Sequence, residues 1–294
     1  MKKTADNLRR IGLIGNPDKP SCARSVARAA ELIRAAKRKV YTEPTTARLA
    51  KFNATVCADS LHLSRQVDLL LVFGGDGTML RVASETAGVS PPMLGINIGG
   101  LGFLTAVPSD KLESALKQLW HGGFKIERRA LIEVTARVRG KTIRKLALND
   151  IVIGRGEVAR LIDLEVSVNA DPLTRYRCDG LIVSSPTGST AYSLAAGGAV
   201  VLPTAEVFAL TPICPHTLSN RSLIVPLRAT VRIEPFSKGA NTILSADGEV
   251  ITELSPGDIV TVRRSRHSVK FMHLADSSFF EALRRKLHWR GTYL

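Results

Sequence analysis

Hydrophobic positions in the first 125 residues alternate between short continuous runs and helical spacing. The runs at 11–15 and 68–73 are almost wholly apolar and predict buried strands, because a strand that is covered on both faces lacks polar alternation. Three helices and one more strand follow from the spacing: helices over 21–39, 78–85 and 109–120, and a strand over 92–96. This order predicts an α/β N-terminal domain, residues 1–125, with a parallel sheet.

From residue 126 the pattern changes to short segments in which apolar and polar residues alternate. Residues 131–138 show this period of two, which is typical of a half-buried strand. Similar segments recur at 147–153, 161–168, 180–184, 230–234 and 258–263. They predict a β-rich C-terminal domain, residues 126–265, with one small-residue helix at 191–196. Residues 266–294 are expected to form a strand and helix tail, with the helix at 279–287, that docks back on the body.

Length and composition fit two globular domains and exclude a coiled coil or a wholly disordered chain. The 294 residues are 45% hydrophobic and 23% charged, close to ordinary globular proteins. The net charge of +15 is unusual, and most of the excess lies at the two ends: 13 basic and 5 acidic residues in 1–60, and 8 basic and 3 acidic in 255–294. A solvated basic rim explains this distribution, and a surface that binds polyanions explains it as well.

The sequence contains no targeting or membrane-spanning pattern. The apolar run at 11–15 is shorter than the core of a signal peptide, and no segment approaches the roughly 20 apolar residues that a bilayer requires. Four scattered cysteines without paired spacing fit a reducing compartment. We therefore expect a cytoplasmic protein.

A glycine-rich turn, Gly74–Thr78, follows the strand at 68–73 and precedes a helix. At the carboxyl end of a parallel strand such a turn faces the usual ligand crevice, and glycines let backbone N–H groups approach phosphate oxygens. Asp76 would repel phosphates unless it accepts a proton from an attacking hydroxyl or holds a divalent cation. Arg81, one helical turn later, either reaches a phosphate or lies in solvent.

A second block, residues 179–198, reads as a nucleotide site. A buried strand leads into the turn Pro186–Thr190, whose hydroxyl groups can cap the small-residue helix that follows. Small side chains let a flat ligand lie close to the helix start, and Tyr192 offers an aromatic surface. The alternative is an ordinary capped helix that ends at two glycines.

Together the two blocks resemble the NAD kinase family, and in particular its bacterial ATP-dependent members. The glycine turn alone is shared with diacylglycerol and sphingosine kinases, whereas the 179–198 block resembles the diagnostic segment of the NAD kinases. Further matches are at 95–97, 101–104, 149–153, 214–218 and 247–248. The resemblance implies an N-terminal α/β domain with a β-rich second domain, and transfer of the γ-phosphoryl of ATP to the 2′-hydroxyl of the adenosine ribose of NAD⁺.

The resemblance also implies roles for individual residues. Asp76 would be the catalytic proton acceptor, with Gly77 and Arg81 beside it. The other implied substrate-binding residues are Asn149, Asp150, Arg160, Arg177, Asp179, Thr190, Ala191, Tyr192, Ser193, Leu194, Ala195 and Glu249. Asp150 stands where the family commonly has Glu, Glu249 where Gln is usual, and Gly100 where a basic or amide residue is frequent.

Cofactor and partner expectations follow from the same family. The histidines show no metal-binding spacing, so we expect no protein metal site and a divalent cation, Mg²⁺, bound to ATP. The expected partners are NAD⁺, ATP and further copies of the chain, as a homodimer or homotetramer. Two rival classes are a diacylglycerol-type lipid kinase and a basic nucleic-acid-binding protein. The 179–198 block argues against the first, and an aromatic content of 5% without a recognition motif argues against the second.

Overall fold

The computed structural model describes residues 7–89, 91–100, 102–157, 160–217, 221–236 and 241–289. The chain divides into two compact units: Met1–Arg128 with Val269–Leu294, called the N-terminal unit below, and Arg129–Ser268, called the middle unit. The domain limits expected at residues 125 and 265 stay predictions. In the part of the chain just given, no helix combines the length and the apolar character that a membrane crossing requires.

Eighteen strands and seven helices are seen in these ranges. The strands are β1 (Arg10–Gly15), β2 (Lys39–Thr42), β3 (Thr55–Val56), β4 (Leu69–Gly74), β5 (Met93–Asn97), β6 (Val107–Pro108), β7 (Phe124–Val138), β8 (Lys141–Ala147), β9 (Asp150–Arg155), β10 (Ile162–Val168), β11 (Asp171–Cys178), β12 (Gly180–Ser184), β13 (Val207–Ile213), β14 (Leu223–Pro226), β15 (Val231–Pro235), β16 (Thr242–Ala246), β17 (Glu249–Leu254) and β18 (Ile259–Leu274). The helices are α1 (Ser21–Ala35), α2 (Pro44–Leu49), α3 (Ser60–Gln66), α4 (Asp76–Glu85), α5 (Leu112–Trp120), α6 (Tyr192–Ala195) and α7 (Phe279–Lys286).

The N-terminal unit is built on a parallel sheet in the order β5-β4-β1-β2-β3, as the apolar runs predict. All six residues of β4 are buried, which is the pattern of a strand covered on both faces. Helix α1 buries one stripe, including Val26, Ala30 and Ile33, against the same core. The sheet therefore directs the carboxyl ends of β1, β4 and β5 to one edge.

Several predicted element limits in this unit are wrong. Helix α1 ends at Ala35, four residues before the predicted end, because Lys37 adopts a left-handed backbone with φ 57°. The N–H of Lys37 donates to the carbonyl of Arg34 and that of Arg38 to Ile33, the bonding of a Schellman motif. Helix α4 starts two residues earlier than predicted, so Asp76 lies in its first turn. A 3-10 turn at Ser109–Lys111 replaces the first residues of the predicted helix 109–120.

The middle unit consists of antiparallel sheets, so the predicted β-rich second domain is confirmed. One sheet has the order β14-β13-β12-β9-β16-β17, and β11, β10, β15 and the first part of β18 form another. Apolar residues from both pack into one core, for example Ile153, Leu181 and Leu244. The last part of β18 pairs with β5 in the N-terminal unit, and α7 follows it.

Several predicted elements of the middle unit need correction. Strand β7 begins at Phe124 and β18 continues to Leu274, so both are longer than the predicted strands 131–138 and 258–263. The predicted strand 147–153 joins the end of β8 to the start of β9, and a bend at 148–149 separates them. The predicted helix 191–196 is a 3-10 turn at Thr187–Thr190 followed by the single turn α6.

Candidate functional site

The glycine turn of the N-terminal unit joins the carboxyl end of β4 to the start of α4. A Cβ on Gly74 would lie 2.3 Å from Oγ1 of Thr78, so this position has room only for glycine. A Cβ on Gly77 would have no neighbour within 4 Å. The turn is therefore packed on the Gly74 side and open at Gly77, where a ligand can approach the backbone.

The Asp76 carboxylate is held by the loop that follows β5. Its Oδ2 accepts a hydrogen bond from the N–H of Phe103 at 2.8 Å. Its Oδ1 accepts from the N–H groups of Leu104 and Thr105 at 3.0 and 3.1 Å and from the Thr105 hydroxyl at 3.2 Å. Four donors fix the orientation of the side chain. Because Oδ2 has one donor among the described residues and two lone pairs, it keeps the capacity to accept a proton.

Asn97, the last residue of β5, positions the same loop. Its side-chain N–H groups donate to the carbonyl of Gly100 at 2.7 Å and to the Thr105 hydroxyl at 2.9 Å, and the side chain is buried. The segments 95–97 and 101–104 carried no residue role in the sequence analysis, and Leu101 lies outside the described residues. In the structure, Asn97 and residues 103–105 support the Asp76 carboxylate.

Gly102 is the position where this support is tightest. A Cβ there would lie 1.9 Å from Oδ1 of Asp76 and 2.4 Å from Oγ1 of Thr105. With Asp76 as the predicted proton acceptor, Gly102→Ala is expected to displace the carboxylate and to lower kcat about tenfold or more, because small misplacements of a reacting group have large effects on rate. Gly100→Ala is the matched control, since a Cβ on Gly100 meets nothing within 4 Å. Steady-state kinetics that give the two variants the same kcat would show that the Asp76 position does not control the rate.

Two cations of the N-terminal unit differ in their relation to the turn. Lys19 was missed by the sequence analysis; its Nζ donates to the carbonyl of Ile98 at 3.1 Å and lies 3.8 Å from the Cβ position of Gly75. In the sequence, only the position of Lys19, four residues after the carboxyl end of β1, could have indicated that it lies near the turn. Arg81 forms an ion pair with Glu85 at 2.8 Å along the surface of α4. Its contact with a phosphate stays a prediction.

In the middle unit, Asn149 and Asp150 are held by the turn between β16 and β17. The Asp247 carboxylate accepts hydrogen bonds from the N–H groups of Leu148, Asn149 and Asp150 at 2.8, 2.7 and 3.2 Å. Asp247 has φ 49° and is followed by Gly248 with φ 82°, as the tight turn requires. The segment 247–248, one of the family-like matches in the sequence, therefore fixes the backbone at the start of β9, where Asn149 and Asp150 lie.

The Asp150 carboxyl is almost fully buried, with 4% of the residue exposed. Burial and the neighbouring Asp247 carboxylate raise its pKa to about 7. Burial also raises the pKa of Asp247, but its three N–H donors act in the opposite direction. Because hydrogen bonds to the ionised form favour that form, the negative charge of the pair falls mainly on Asp247, while Asp150 is protonated below pH 7 and about half protonated at pH 7.

Asp179 and Tyr192 line one cavity of about 420 Å³ in the middle unit. Asp179 forms an ion pair with Arg155, with Nε and Oδ1 2.9 Å apart, and Arg155 also lines the cavity. Tyr192 is 48% exposed there. The sequence analysis missed Arg155, which has no motif of its own and was found only through its partner.

The hydroxyl-rich turn that precedes α6 is mainly a packing element. Gly188 lies against the backbone of Asn149, where a Cβ would come within 2.2 Å of the carbonyl oxygen. Ser193 is fully buried and its hydroxyl is 3.0 Å from that of Thr211, so it faces the protein. The Thr190 hydroxyl donates a hydrogen bond to the carbonyl of Thr187 at 3.3 Å. The residues of this segment that keep some exposure are Thr190, Ala191, Tyr192, Leu194 and Ala195.

Three more predicted contact residues are exposed. Arg160 and Arg177 point to the surface of the middle unit, and Glu249 forms an ion pair with Lys145 at 3.0 Å. None of them lines the cavity that holds Asp179 and Tyr192. Their roles as ligand contacts stay predictions.

Side chains that can bind a metal ion are dispersed in the part of the chain that the structure describes. Among the described residues there is no group of three or more His, Cys, Asp or Glu side chains placed to bind one. The Asp76 oxygens already accept four hydrogen bonds.

Comparison with known proteins gives consistent matches over both units. The ATP-NAD kinase N-terminal domain model matches residues 11–124, and the ATP-NAD kinase C-terminal domain model matches residues 148–274. The chain is 37% identical over 283 residues to the NAD kinase of Syntrophotalea carbinolica, covering 96% of this chain and 99% of that protein. It is 39% identical over 292 residues to the NAD kinase of Moorella thermoacetica, covering 97% and 91%.

Two solved structures are similar along nearly the whole chain. Yeast NADH kinase complexed with NADH superposes with a TM-score of 0.89 at 26% identity, covering 98% of this chain and 90% of that one. The NAD kinase from Archaeoglobus fulgidus in complex with ATP gives a TM-score of 0.74 at 26% identity, covering 96% and 100%.

Proposed function

The chain belongs to the ATP-NAD kinase family and is an ATP-dependent kinase of NAD, and we propose that Asp76 is the residue at which the reaction is activated. The observation that supports this role is the Asp76 carboxylate, fixed by the loop residues Phe103 to Thr105 at the carboxyl end of β4. A fixed carboxylate with a free lone pair on Oδ2 is suited to accept a hydroxyl proton.

In the proposed step the 2′-oxygen of the adenosine ribose of NAD⁺ attacks the γ-phosphorus of ATP. A bond forms between that oxygen and phosphorus, the bond from phosphorus to the β,γ-bridging oxygen breaks, and ADP leaves with the electron pair. The hydroxyl proton passes to Oδ2 of Asp76. A loose phosphoryl transition state asks for positioning and charge stabilisation more than for covalent chemistry. The divalent ion carried by ATP supplies part of that stabilisation when bound.

The phosphate groups of ATP are assigned to the open side of the glycine turn. Gly77 leaves the backbone accessible there, and Lys19 adds a cation next to Gly75. Arg81 is assigned to the same ligand, which it would reach by exchanging Glu85 for a phosphate. Ammonium and guanidinium groups are the usual partners of phosphate oxygens in proteins.

The residues of the middle unit are assigned to NAD⁺. Asn149 and Asp150, held by Asp247, would bind the adenosine half. Asp179 and Tyr192 would contact the dinucleotide from the cavity that they share, and a ring with 48% exposure offers a stacking surface. The remaining assigned contacts are Thr190, Ala191, Ser193, Leu194, Ala195, Arg160, Arg177 and Glu249.

For Ser193 and Glu249, the proposed contact with NAD⁺ depends on which of their groups is available. The Ser193 side chain is turned toward Thr211, so its contact would use the backbone. Glu249 offers only acceptors where the family commonly has an amide. We further propose that the enzyme works in the cytoplasm as a homodimer or homotetramer.

The test of the proposed reaction is formation of NADP⁺. The purified chain is incubated with NAD⁺, ATP and Mg²⁺, and the product is reduced by an NADP-specific dehydrogenase and followed as NADPH at 340 nm. We expect NADPH in proportion to enzyme and time, and none when ATP is left out. A lipid kinase or a nucleic-acid-binding protein would form no NADPH, so its absence would contradict the proposal. Parallel reactions with NADH and with polyphosphate define the accepted substrates.

A further inference from the structure

A basic cavity lies at the amino-terminal edge of the parallel sheet in the N-terminal unit. It has a volume of about 910 Å³ and is lined by Asn7, Arg9, Arg10, Lys37, Arg38, Lys39 and Asp68. Among the residues that the structure describes here, five side chains are basic and one is acidic. The volume is within the range of small-ligand sites.

The cavity is separate from the catalytic turn. Arg10 and Lys39 open β1 and β2, and Asp68 immediately precedes β4, whereas Asp76 follows the carboxyl end of β4. Because these strands are parallel and about six residues long, the two edges of the sheet are about 20 Å apart at 3.3 Å per residue. The cavity therefore lies at the opposite edge of the sheet from Asp76.

Two of the arginines in the cavity are held in place. The Arg38 guanidinium stacks on the Trp120 ring, 4.0 Å from its centroid, and donates to the carbonyl of Leu8 at 2.9 Å. Arg10 donates to both oxygens of Asp68, at 2.8 and 3.4 Å. Oriented guanidinium groups lose little rotational freedom when an anion binds.

Two lysines complete the basic lining. Lys37 and Lys39 are exposed and have no ion pair with any residue described by the structure. Lys37 occupies the left-handed position that ends α1, with φ 57°, where glycine is the ordinary residue. A lysine at this position is strained, because a side chain disfavours the left-handed backbone. It places one more positive charge next to Arg38, just after the end of α1.

We propose that this cavity is a second, non-catalytic site that binds a small, multiply charged phosphate anion. The held guanidinium groups supply directional hydrogen bonds to phosphate oxygens, and the two lysines supply mobile positive charge. The Asp68 carboxylate pairs with Arg10 and repels anions, so a bound phosphate is expected to lie nearer to the other basic side chains. Under this proposal, five of the basic residues in the first 60 positions, those that line the cavity, bind a ligand.

The test removes the two lysines without disturbing the turn. Lys37→Gly suits the left-handed backbone, and Lys39→Thr suits a strand start. The matched control, Lys141→Thr with Arg144→Thr, removes two exposed cations from the β7–β8 hairpin of the middle unit. Calorimetry with tripolyphosphate is carried out in about 0.1 M salt, with NAD⁺ and a non-hydrolysable ATP analogue saturating the catalytic site.

We expect one additional tripolyphosphate site in the wild type, with affinity at least about tenfold weaker in the lysine variant and unchanged in the control. The kcat of both variants should equal that of the wild type, which also shows that they fold. Absence of binding in the wild type, or equal weakening in both variants, would overturn the proposal in favour of a solvated basic rim. Flotation with vesicles that contain a phosphoinositide identifies the source: binding that requires Lys37 and Lys39 supports a lipid headgroup, and tripolyphosphate binding alone supports a free anion.

Discussion

Replacing Asp76 by asparagine is expected to lower kcat at least about 100-fold, the usual contribution of a positioned general base. The amide has nearly the same size, but its NH₂ group cannot accept the ribose proton. It also places a donor opposite the N–H groups of the loop residues Phe103 to Thr105, which now bond the carboxylate. Because Asp76 is assigned to proton transfer and not to NAD⁺ binding, the Kd for NAD⁺ should stay within about threefold.

Two measurements make the Asp76 result specific. Single-turnover kinetics report the chemical step, and titration with NAD⁺ reports binding. Glu113→Gln is the control, because Glu113 is an exposed carboxylate of the same unit that pairs with Arg28 and Lys117. Near wild-type turnover in Asp76→Asn would remove Asp76 from the mechanism, and a comparable loss in Glu113→Gln would point to a general charge effect.

The second large effect concerns stability and pH at Asp150. Its pKa is about 7 in the folded protein, against an ordinary value near 3.9 in an unfolded chain. The folded state thus holds a proton that the unfolded state releases, so the contribution of Asp150 to the free energy of unfolding is fully present below about pH 4 and is lost as the pH rises through 7. Asp150→Asn carries no such proton. Relative to the wild type, it should gain about 3 kcal/mol of stability between pH 5 and pH 8.

Urea unfolding of both proteins at pH 5 and pH 8 measures this difference. Asp171→Asn is the control, since Asp171 is an exposed aspartate of the same unit, and it should follow the wild type at both pH values. A stability difference between Asp150→Asn and the wild type that is independent of pH would show that Asp150 is ionised in the folded state. The same variant then informs on binding: an amide retains the hydrogen-bond donor of a protonated carboxyl, so its KM for NAD⁺ at pH 6 should be close to that of the wild type.

The fold class and the long central elements were predictable because their signals are local. Strand β4 is an unbroken apolar run, and its flanking glycines mark where it ends. The elements missed between residues 39 and 66 are β2, α2, β3 and α3, of two to seven residues. At these lengths a helix has fewer than two turns and a strand has at most two alternations, so too few positions are present to show a hydrophobic period. In the middle unit β8, β11, β13, β14, β16 and β17 were missed. Few residues of β8, β11, β14 and β17 are buried, so these strands need few apolar positions, whereas β13 is almost wholly buried and lacks polar alternation for that reason.

The sequence by itself determined the chemistry of this protein: a glycine turn with an aspartate after a buried strand, and a second contiguous block, 179–198, that resembles one kinase family. Both are stretches of adjacent residues, so their pattern is complete before folding. Only the tertiary structure decided how the carboxylates are held. Asp76 takes its hydrogen bonds from residues 27 to 29 positions later, and Asp247 from residues 97 to 99 positions earlier. Hydrogen bonds between distant segments cannot be predicted from hydrophobic periodicity, because their donors and acceptors come together only when the sheets pack.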